Sequence, residues 1–152
     1  MIQLVDHINI VVSDLERSVW FYRDLLGMTE TRRARLEGDW IESIVDLSGV
    51  VADVAYLEPL EGGPRIELLH YLTPVGDSIP ENQLPNTLGL RHVAFRVRDI
   101  QEAAGRLEEA GFPLLSPPTT VPQEVIAHKA GHKTLCYFHD PDGVLLELAE
   151  YR

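Results

Sequence analysis

The two halves of this chain resemble each other, which limits the fold to two copies of one architecture. Residues 6–15 align with residues 91–100, and in both segments a histidine precedes an aspartate by seven positions. Residues 66–71 align with residues 146–151, and the second residue of each segment is a glutamate. A repeat of this kind indicates two modules that share one order of helices and strands.

The first half reads as strand, helix and then further strands. Residues 4–12 alternate between polar and apolar side chains, as a half-buried strand does. The capping-box pattern from Ser13 to Glu16 lets Ser13 cap a helix and Glu16 reach back, and Gly27 is a helix stop. Further strands are predicted over residues 28–36, 41–47, 50–58 and 65–71.

The second half repeats this order. A strand over residues 91–98 is followed by a helix that starts with a similar capping pattern at Asp99 and ends at Gly111. An extended segment, an irregular stretch and two strands follow, at residues 112–116, 117–133, 134–139 and 144–151. The sequence therefore predicts a first βαβββ module over residues 1–72, a proline-containing linker over 73–88 and a second βαβββ module over 89–152.

Four potential metal ligands stand at the duplicated positions: His7, Glu67, His92 and Glu147. Alternate residues of a strand share a face, so the apolar neighbours of these four can pack on helices while the four point to the opposite face. On one concave sheet the four side chains would converge. Two imidazoles and two carboxylates suit one divalent ion per site, namely nickel, cobalt, manganese, zinc or iron.

Composition narrows the partners and the compartment. The 24 acidic and 13 basic residues give a net charge of −11, which argues against nucleic acid or an anionic membrane as a partner. The single cysteine, Cys136, excludes an intrachain disulfide and is typical of a reducing compartment. With no signal-peptide pattern and no run of about 20 apolar residues, we expect a cytoplasmic protein.

Other polar residues are weaker candidates. Asn9 and Arg96 share strand parity with the two histidines and could bind a substrate carboxylate, although a structural salt bridge explains Arg96 equally well. Three arginines could attract an anionic substrate tail, although an exposed strand face is the simpler interpretation: Arg32, Arg33 and Arg35. His128 and His132 are four positions apart, but Gly131 between them favours a solvated loop over a metal site.

The chain resembles the vicinal oxygen chelate superfamily, also called the glyoxalase, bleomycin-resistance and extradiol dioxygenase superfamily. The resemblance covers nearly the whole chain and is carried by residues 6–18, 21–28, 66–69, 92–97 and 140–148. It implies an α+β fold in which two βαβββ modules form an open barrel-like mixed sheet with helices outside.

Within that superfamily the His/Glu/His/Glu set is most similar to glyoxalase I. Methylmalonyl-CoA epimerase is also similar, but it usually has glutamine at the place of Glu67. The resemblance implies a divalent-metal-dependent lyase or isomerase that abstracts a proton next to a metal-bound carbonyl through an enediolate. Either Glu67 or Glu147 would be the catalytic base, and the substrate would be a small molecule such as a thiol conjugate or an acyl-CoA.

Two alternatives stay open within the same fold. One is an Fe(II) extradiol-type dioxygenase that would use His7, His92 and Glu147. The other is a small-molecule-binding or resistance protein without catalysis. Many relatives assemble paired modules across an interface, so the ligands meet either within one chain or across a homodimer.

Overall fold

The computed structural model describes residues 2–80, 84–125 and 131–152, in two compact units, Met1–Ser78 and Ile79–Arg152. The first unit contains β1 (His7–Val11), α1 (Leu15–Val19), β2 (Thr29–Glu37), α2 (Asp39–Val45), β3 (Val51–Glu58) and β4 (Arg65–Thr73). The second contains β5 (Val93–Arg96), α3 (Ile100–Glu109), β6 (Thr119–Thr120), β7 (Lys133–His139) and β8 (Leu145–Tyr151). A π-helical segment, Trp20–Leu25, continues α1, and Gln123–Val125 is a 3-10 turn.

Each unit contains one four-stranded mixed sheet, and the two sheets have the same topology. The strand orders are β1-β4-β3-β2 and β5-β8-β7-β6. The first strand of each unit runs parallel to its last strand, and the other pairings are antiparallel. The predicted α+β class with two βαβββ modules is therefore confirmed.

The alternation predicted for the strands is also present. In β1, Ile10 is buried while His7 and Asn9 are exposed. Helix α1 packs on β3 and β4, and α3 packs on β8, so the apolar faces of the sheets meet the helices. The largest fully buried side chains include Phe21, Tyr22, Leu57, Ile66, Leu68, Leu107, Phe138, Leu146 and Leu148. No helix in the described ranges is long and apolar enough to cross a membrane.

The helix starts follow the repeat, with one correction. In α3, the Asp99 carboxylate accepts from the backbone N–H groups of Gln101 and Glu102, as predicted. In α1, the predicted cap Ser13 is wrong, because the Asp14 carboxylate accepts from the Arg17 N–H at 3.0 Å. Asp14 is the repeat equivalent of Asp99, so both helices use the same cap.

The strand predicted over residues 41–47 is wrong, because Asp39–Val45 forms the helix α2. Asp39 and Glu42 lie in its first turn, where carboxylates interact favourably with the helix dipole. Ile41 and Val45 are four residues apart, so they lie on one side of the helix, and Ile41 is buried. Their β-branched side chains are common in strands, which is why the sequence favoured a strand there.

The second half also differs from expectation in one edge segment. Within the extended stretch predicted at residues 112–116, Leu114 forms a single bridge with Phe138. The edge strand β6, Thr119–Thr120, lies inside the stretch predicted to be irregular, and it pairs with β7. The strand is only two residues long because Pro118 and Pro122 flank it, and proline cannot donate to a ladder.

The cap of α3 provides a test of the local energetics. Asp99→Ala removes the acceptor of two backbone N–H groups, so we expect a loss of about 1 kcal/mol in the free energy of unfolding. Urea denaturation of wild type and variant measures the change. Glu109→Ala, at an exposed position near the other end of the same helix, is the control and should change stability by less than about 0.5 kcal/mol. Equal stability of Asp99→Ala and wild type would contradict the capping role.

Candidate metal centre

The first unit brings His7 and Glu67 together across its parallel strands. His7 Nε2 lies 3.5 Å from Glu67 Oε2. On the other side of the imidazole, Asp6 Oδ2 lies 2.8 Å from Nδ1 and is itself paired with Arg65. The contacts with His7 and Arg65 lower the pKa of Asp6, so it is a charged acceptor for Nδ1–H. With the proton on Nδ1, the Nε2 lone pair points towards Glu67, an arrangement typical of metal-ligating histidines.

Glu67 is held by neutral donors. Asn9 Nδ2 donates to Glu67 Oε2 at 2.8 Å, and the two residues stand opposite each other on β1 and β4. Tyr56 stands opposite Glu67 on β3. Burial, and then its hydrogen bond to Glu67, raise the pKa of the Tyr56 phenol, which therefore stays a donor. The Glu67 side chain is 15% exposed, so it lies at the surface of the sheet within reach of a ligand.

The second unit repeats this pairing with His92 and Glu147. His92 directly precedes β5, and its Nε2 lies 3.4 Å from Glu147 Oε2. The imidazole also packs beside Tyr137, with 5.2 Å between the ring centroids. Tyr137 stands opposite Glu147 on β7, and burial followed by the charge of Glu147 raises the pKa of its phenol. Glu147 is thus in contact with the same two side-chain types as Glu67.

The two glutamates differ in the charge beside them. Lys133 Nζ lies 3.0 Å from Glu147 Oε1, and the Glu147 side chain is only 4% exposed. Burial alone would lower the pKa of Lys133, but the contact with Glu147 outweighs it and raises the pKa. In the first unit the corresponding residue is Ala52, which precedes Tyr56 by four positions as Lys133 precedes Tyr137. A buried carboxylate needs such a counter-charge, whereas the more exposed Glu67 does not.

The two tyrosines were missed by the sequence reasoning, although a signal was present. Tyr56 and Tyr137 are 81 positions apart, nearly the 80 that separate Glu67 from Glu147. Each lies on the strand next to its glutamate and in direct register with it. The repeat therefore extends to a third residue type, and a search for conserved spacing within the chain would have found it.

The predicted substrate-binding residues lie on the faces of the sheets that carry the His–Glu pairs, which we call the ligand faces. Asn9 is two residues from His7 and donates to Glu67. Arg96 stands opposite Ala149, two residues from Glu147, and its guanidinium lies 5.3 Å from the ring centre of Tyr151. Lys133 Nζ lies 5.5 Å from the same ring. The second ligand face thus carries two cations beside Glu147.

The ligand face of the first sheet also has an apolar part. Ala52, Val54 and Leu69 are buried and cluster together, with Ala34, Leu36, Tyr56 and Tyr71 packed against them. Leu69 and Tyr71 follow Glu67 by two and four residues, so they lie on its side of β4. Val54 and Ala52 are their register partners on β3, and Ala34 and Leu36 are the partners of those two on β2, so the whole cluster lies on the ligand face. An apolar patch beside a few polar side chains, such as Glu67 and Asn9, is the usual lining of a small-molecule site.

The described residues thus contain two His–Glu pairs, each within its own unit. In the ranges 2–80, 84–125 and 131–152, no group of three or more His, Cys, Asp or Glu side chains could hold a metal ion. His128, of the weaker histidine pair, lies outside the described residues.

Each unit contributes one His–Glu pair, and each pair could supply two of the four ligands of a divalent-metal centre. Each offers one imidazole nitrogen and one carboxylate, the donors that such ions accept in proteins. Glu147 Oε1 is buried and has no well-aligned hydrogen bond from a described residue, even with Lys133 close by. The other oxygen, Oε2, lies 3.4 Å from His92 Nε2, so it is the one that could share an ion with the imidazole.

Residues 4–148 match the family model described as the Glyoxalase/Bleomycin resistance protein/Dioxygenase superfamily. This chain belongs to that superfamily. A solved structure of a glyoxalase family protein from Bacillus cereus is 30% identical, with a TM-score of 0.83 and 99% of this chain and 95% of that chain covered. The predicted family and its fold are therefore confirmed.

Two curated relatives of known or assigned activity are similar over nearly their full length. The ethylmalonyl-CoA/methylmalonyl-CoA epimerase of Cereibacter sphaeroides is 28% identical over 152 residues, which are 99% of this chain and 99% of that protein. The probable lactoylglutathione lyase of Synechocystis is 28% identical over 145 residues, which are 95% of this chain and 92% of that protein. The superfamily thus includes lyases and epimerases whose sequence identity to this chain is the same, 28%.

The paired tyrosines generate a prediction for a metal centre built from these residues. Tyr56→Phe or Tyr137→Phe removes a donor that orients a glutamate ligand, so the affinity for cobalt(II) should fall about tenfold or more. Titration of the visible absorption of bound cobalt measures the affinity. Tyr71→Phe is a matched control, because Tyr71 shares the ligand face but stands opposite Ala52. Unchanged affinity in both tyrosine variants would rule out their role.

Proposed function

We propose that this protein is a divalent-metal-dependent lyase or isomerase that abstracts a proton next to a substrate carbonyl. The observation that carries the proposal is the duplicated His–Glu pair. In each unit a histidine Nε2 lies within 3.5 Å of a glutamate oxygen on the neighbouring parallel strand. A ligand set to which both halves contribute would require the same residue types at both places of the repeat, and the tyrosine beside each glutamate recurs with them.

His7, Glu67, His92 and Glu147 would hold one ion per centre, which is nickel, cobalt, manganese, zinc or iron. The two pairs would join either within one chain or across a homodimer. When bound, a divalent ion supplies Lewis acidity that polarises a substrate carbonyl and makes the neighbouring C–H more acidic. Two carboxylates among the four ligands balance the charge of the ion, so the centre would accept an anionic substrate.

The catalytic base would be one of the two glutamates. Glu147 is buried and paired with Lys133, so its carboxylate is held in place. Glu67 is more exposed and held by Asn9 and Tyr56, which carry no charge, so its carboxylate can turn with less loss of interaction energy. A positioned carboxylate that takes a proton from carbon contributes a rate factor of about 10² to 10⁴.

Arg96 and Lys133 would bind a substrate carboxylate. Their cationic groups lie near the ring of Tyr151, on the face that carries Glu147. Arg96 forms no ion pair or hydrogen bond with a described residue, so its guanidinium can give both N–H donors to a carboxylate. Asn9 would add a polar contact on the first ligand face.

The relatives suggest the class of substrate. Methylmalonyl-CoA and lactoylglutathione, which appear in the relatives' names, are both thioesters, one of coenzyme A and one of glutathione. The carbonyl of a thioester is well suited to proton abstraction at the next carbon. We therefore propose an acyl-CoA or another thiol conjugate as the substrate.

Metal content is the first test of this proposal. Protein purified without chelators or a histidine tag should contain about one divalent ion per chain by elemental mass spectrometry. The double variant His7→Ala/His92→Ala should lose the ion, and the control His139→Ala, at an exposed position, should keep it.

The identity of the ion separates the candidate functions. Nickel, cobalt, manganese or zinc supports the lyase or isomerase, and it justifies a screen of hemithioacetals and acyl-CoA epimers. Iron together with catechol-dependent oxygen uptake would favour a dioxygenase. No ion, even after reconstitution with each metal in turn, would discard this mechanism and leave a binding protein.

The role of the carboxylates is tested by solvent exchange. Glu147→Gln keeps the shape of the side chain but removes its basicity and charge, so exchange of the substrate proton with deuterated water should slow by about 10²-fold or more. Proton NMR follows the exchange. Arg96→Ala should mainly raise KM, because it removes a binding contact. If Glu147→Gln exchanged the proton as fast as wild type, the assignment of Glu147 to the catalytic centre would be wrong.

A further inference from the structure

The arginines near the start of β2 differ in what they contact. Arg23 pairs with Asp24 and Glu30, Arg33 with Glu16 and Glu30, and Arg35 with Asp53. Arg32 is exposed and forms no hydrogen bond or ion pair with any residue in the described part of the chain. In a chain of net charge −11, an exposed arginine without a carboxylate partner leaves a local positive charge.

A β-bulge sets the direction of Arg32. Glu30 stands opposite Leu57 and Arg32 stands opposite Tyr56, so Thr31 is an extra residue in β2. In a regular strand Glu30 and Arg32 would share a face, but the bulge puts them on opposite faces. Arg32 therefore lies on the ligand face, whereas Arg33 lies on the helix side, where it contacts Glu16.

Arg32 ends a row of polar side chains that includes the proposed metal ligand. Across the first sheet, Asn9, Glu67, Tyr56 and Arg32 stand opposite one another on β1, β4, β3 and β2. Residues in direct register on paired strands project to the same side. Neighbouring strands are about 4.8 Å apart, so Arg32 and Glu67 are separated by about 10 Å along the row.

Space is present beside Arg32. A cleft of about 480 Å³ is lined by Arg23 and residues 28–33, along the edge strand of the sheet. Glu30 and Arg33 of its lining face the helix side and Arg32 faces the ligand side, so the cleft runs around the edge of the sheet and not over the His–Glu pair. Because the other cations of its lining are paired with carboxylates, Arg32 is the group in it that can receive an anion.

We propose that Arg32 binds an anionic group of an extended substrate whose carbonyl lies at Glu67. The group is a carboxylate or a phosphate, both of which match the two parallel N–H donors of a guanidinium. The inference rests on the proposed function and narrows it to substrates that carry an oxyanion about 10 Å from the reacting carbonyl, two strand spacings away. The anionic end of the substrate would then lie at the edge strand β2 of the first sheet, where Arg32 stands.

Two hydroxamic acids of equal chain length test this assignment on the cobalt-loaded protein. The hydroxamate group chelates a divalent ion in both, and the far end is a carboxylate in suberic acid monohydroxamate but a methyl group in octanohydroxamic acid. Isothermal titration calorimetry at constant ionic strength measures both affinities for wild type, Arg32→Gln and Arg35→Gln. Arg35 is the matched control, since it is on the same strand but paired with Asp53.

Wild type and Arg35→Gln should bind the carboxylate probe about tenfold more tightly than the methyl probe, the size of one charge-assisted hydrogen-bonding contact. Arg32→Gln should bind both probes equally and keep the wild-type affinity for octanohydroxamic acid. No preference in wild type, or an unchanged preference in Arg32→Gln, overturns the role of Arg32 and leaves the metal centre standing. Failure of octanohydroxamic acid to bind wild type would instead overturn the metal centre, and this inference with it.

Discussion

The parallel pairing of the first and last strands of each unit is the constraint on which the candidate site depends. It pairs residue 9 with Glu67 and residue 94 with Glu147, so each histidine, two positions earlier on the same face, comes within 3.5 Å of its glutamate. A parallel pair needs a crossover connection, so the helix and the two middle strands must lie between its members in the chain. The histidine-to-glutamate separation differs by five residues between the halves, yet the register around the glutamate is the same. The two halves therefore share the register of their parallel strands, although the lengths of the connecting segments differ.

The two copies of this arrangement carry different charges. In the first unit Asp6 orients His7, and Asn9 and Tyr56 hold Glu67 without a cation in contact. In the second unit Lys133 balances the buried Glu147. A carboxylate with neutral partners loses less interaction energy when it moves than one in a buried ion pair, which must leave a charge uncompensated. Equivalent residues of a duplicated scaffold can therefore serve an unsymmetrical reaction.

Positive charge is sparse in this acidic chain, and within the described ranges several of the cations are paired with carboxylates, among them Arg23, Arg65 and Lys133. The arginines of β2 that face the helix side form ion pairs, as Arg33 and Arg35 do. Arg32 and Arg96, which lie on the ligand faces, form none with the described residues. A field from a few unpaired cations is local, so it favours anions at the ligand faces while the rest of the surface repels them.

The sequence by itself determined the family, the two modules, the faces of the strands and the four candidate ligands. These follow from spacing within the chain, such as the repeat and the period of two along β1. It did not determine the helix Asp39–Val45, the Thr31 bulge, or the tyrosine beside each glutamate. Only the tertiary structure decided these, because strand register depends on which strands pair, and a bulge moves every later side chain to the other face. Periodicity tells which residues share a side, but hydrogen bonding between strands decides what they meet there.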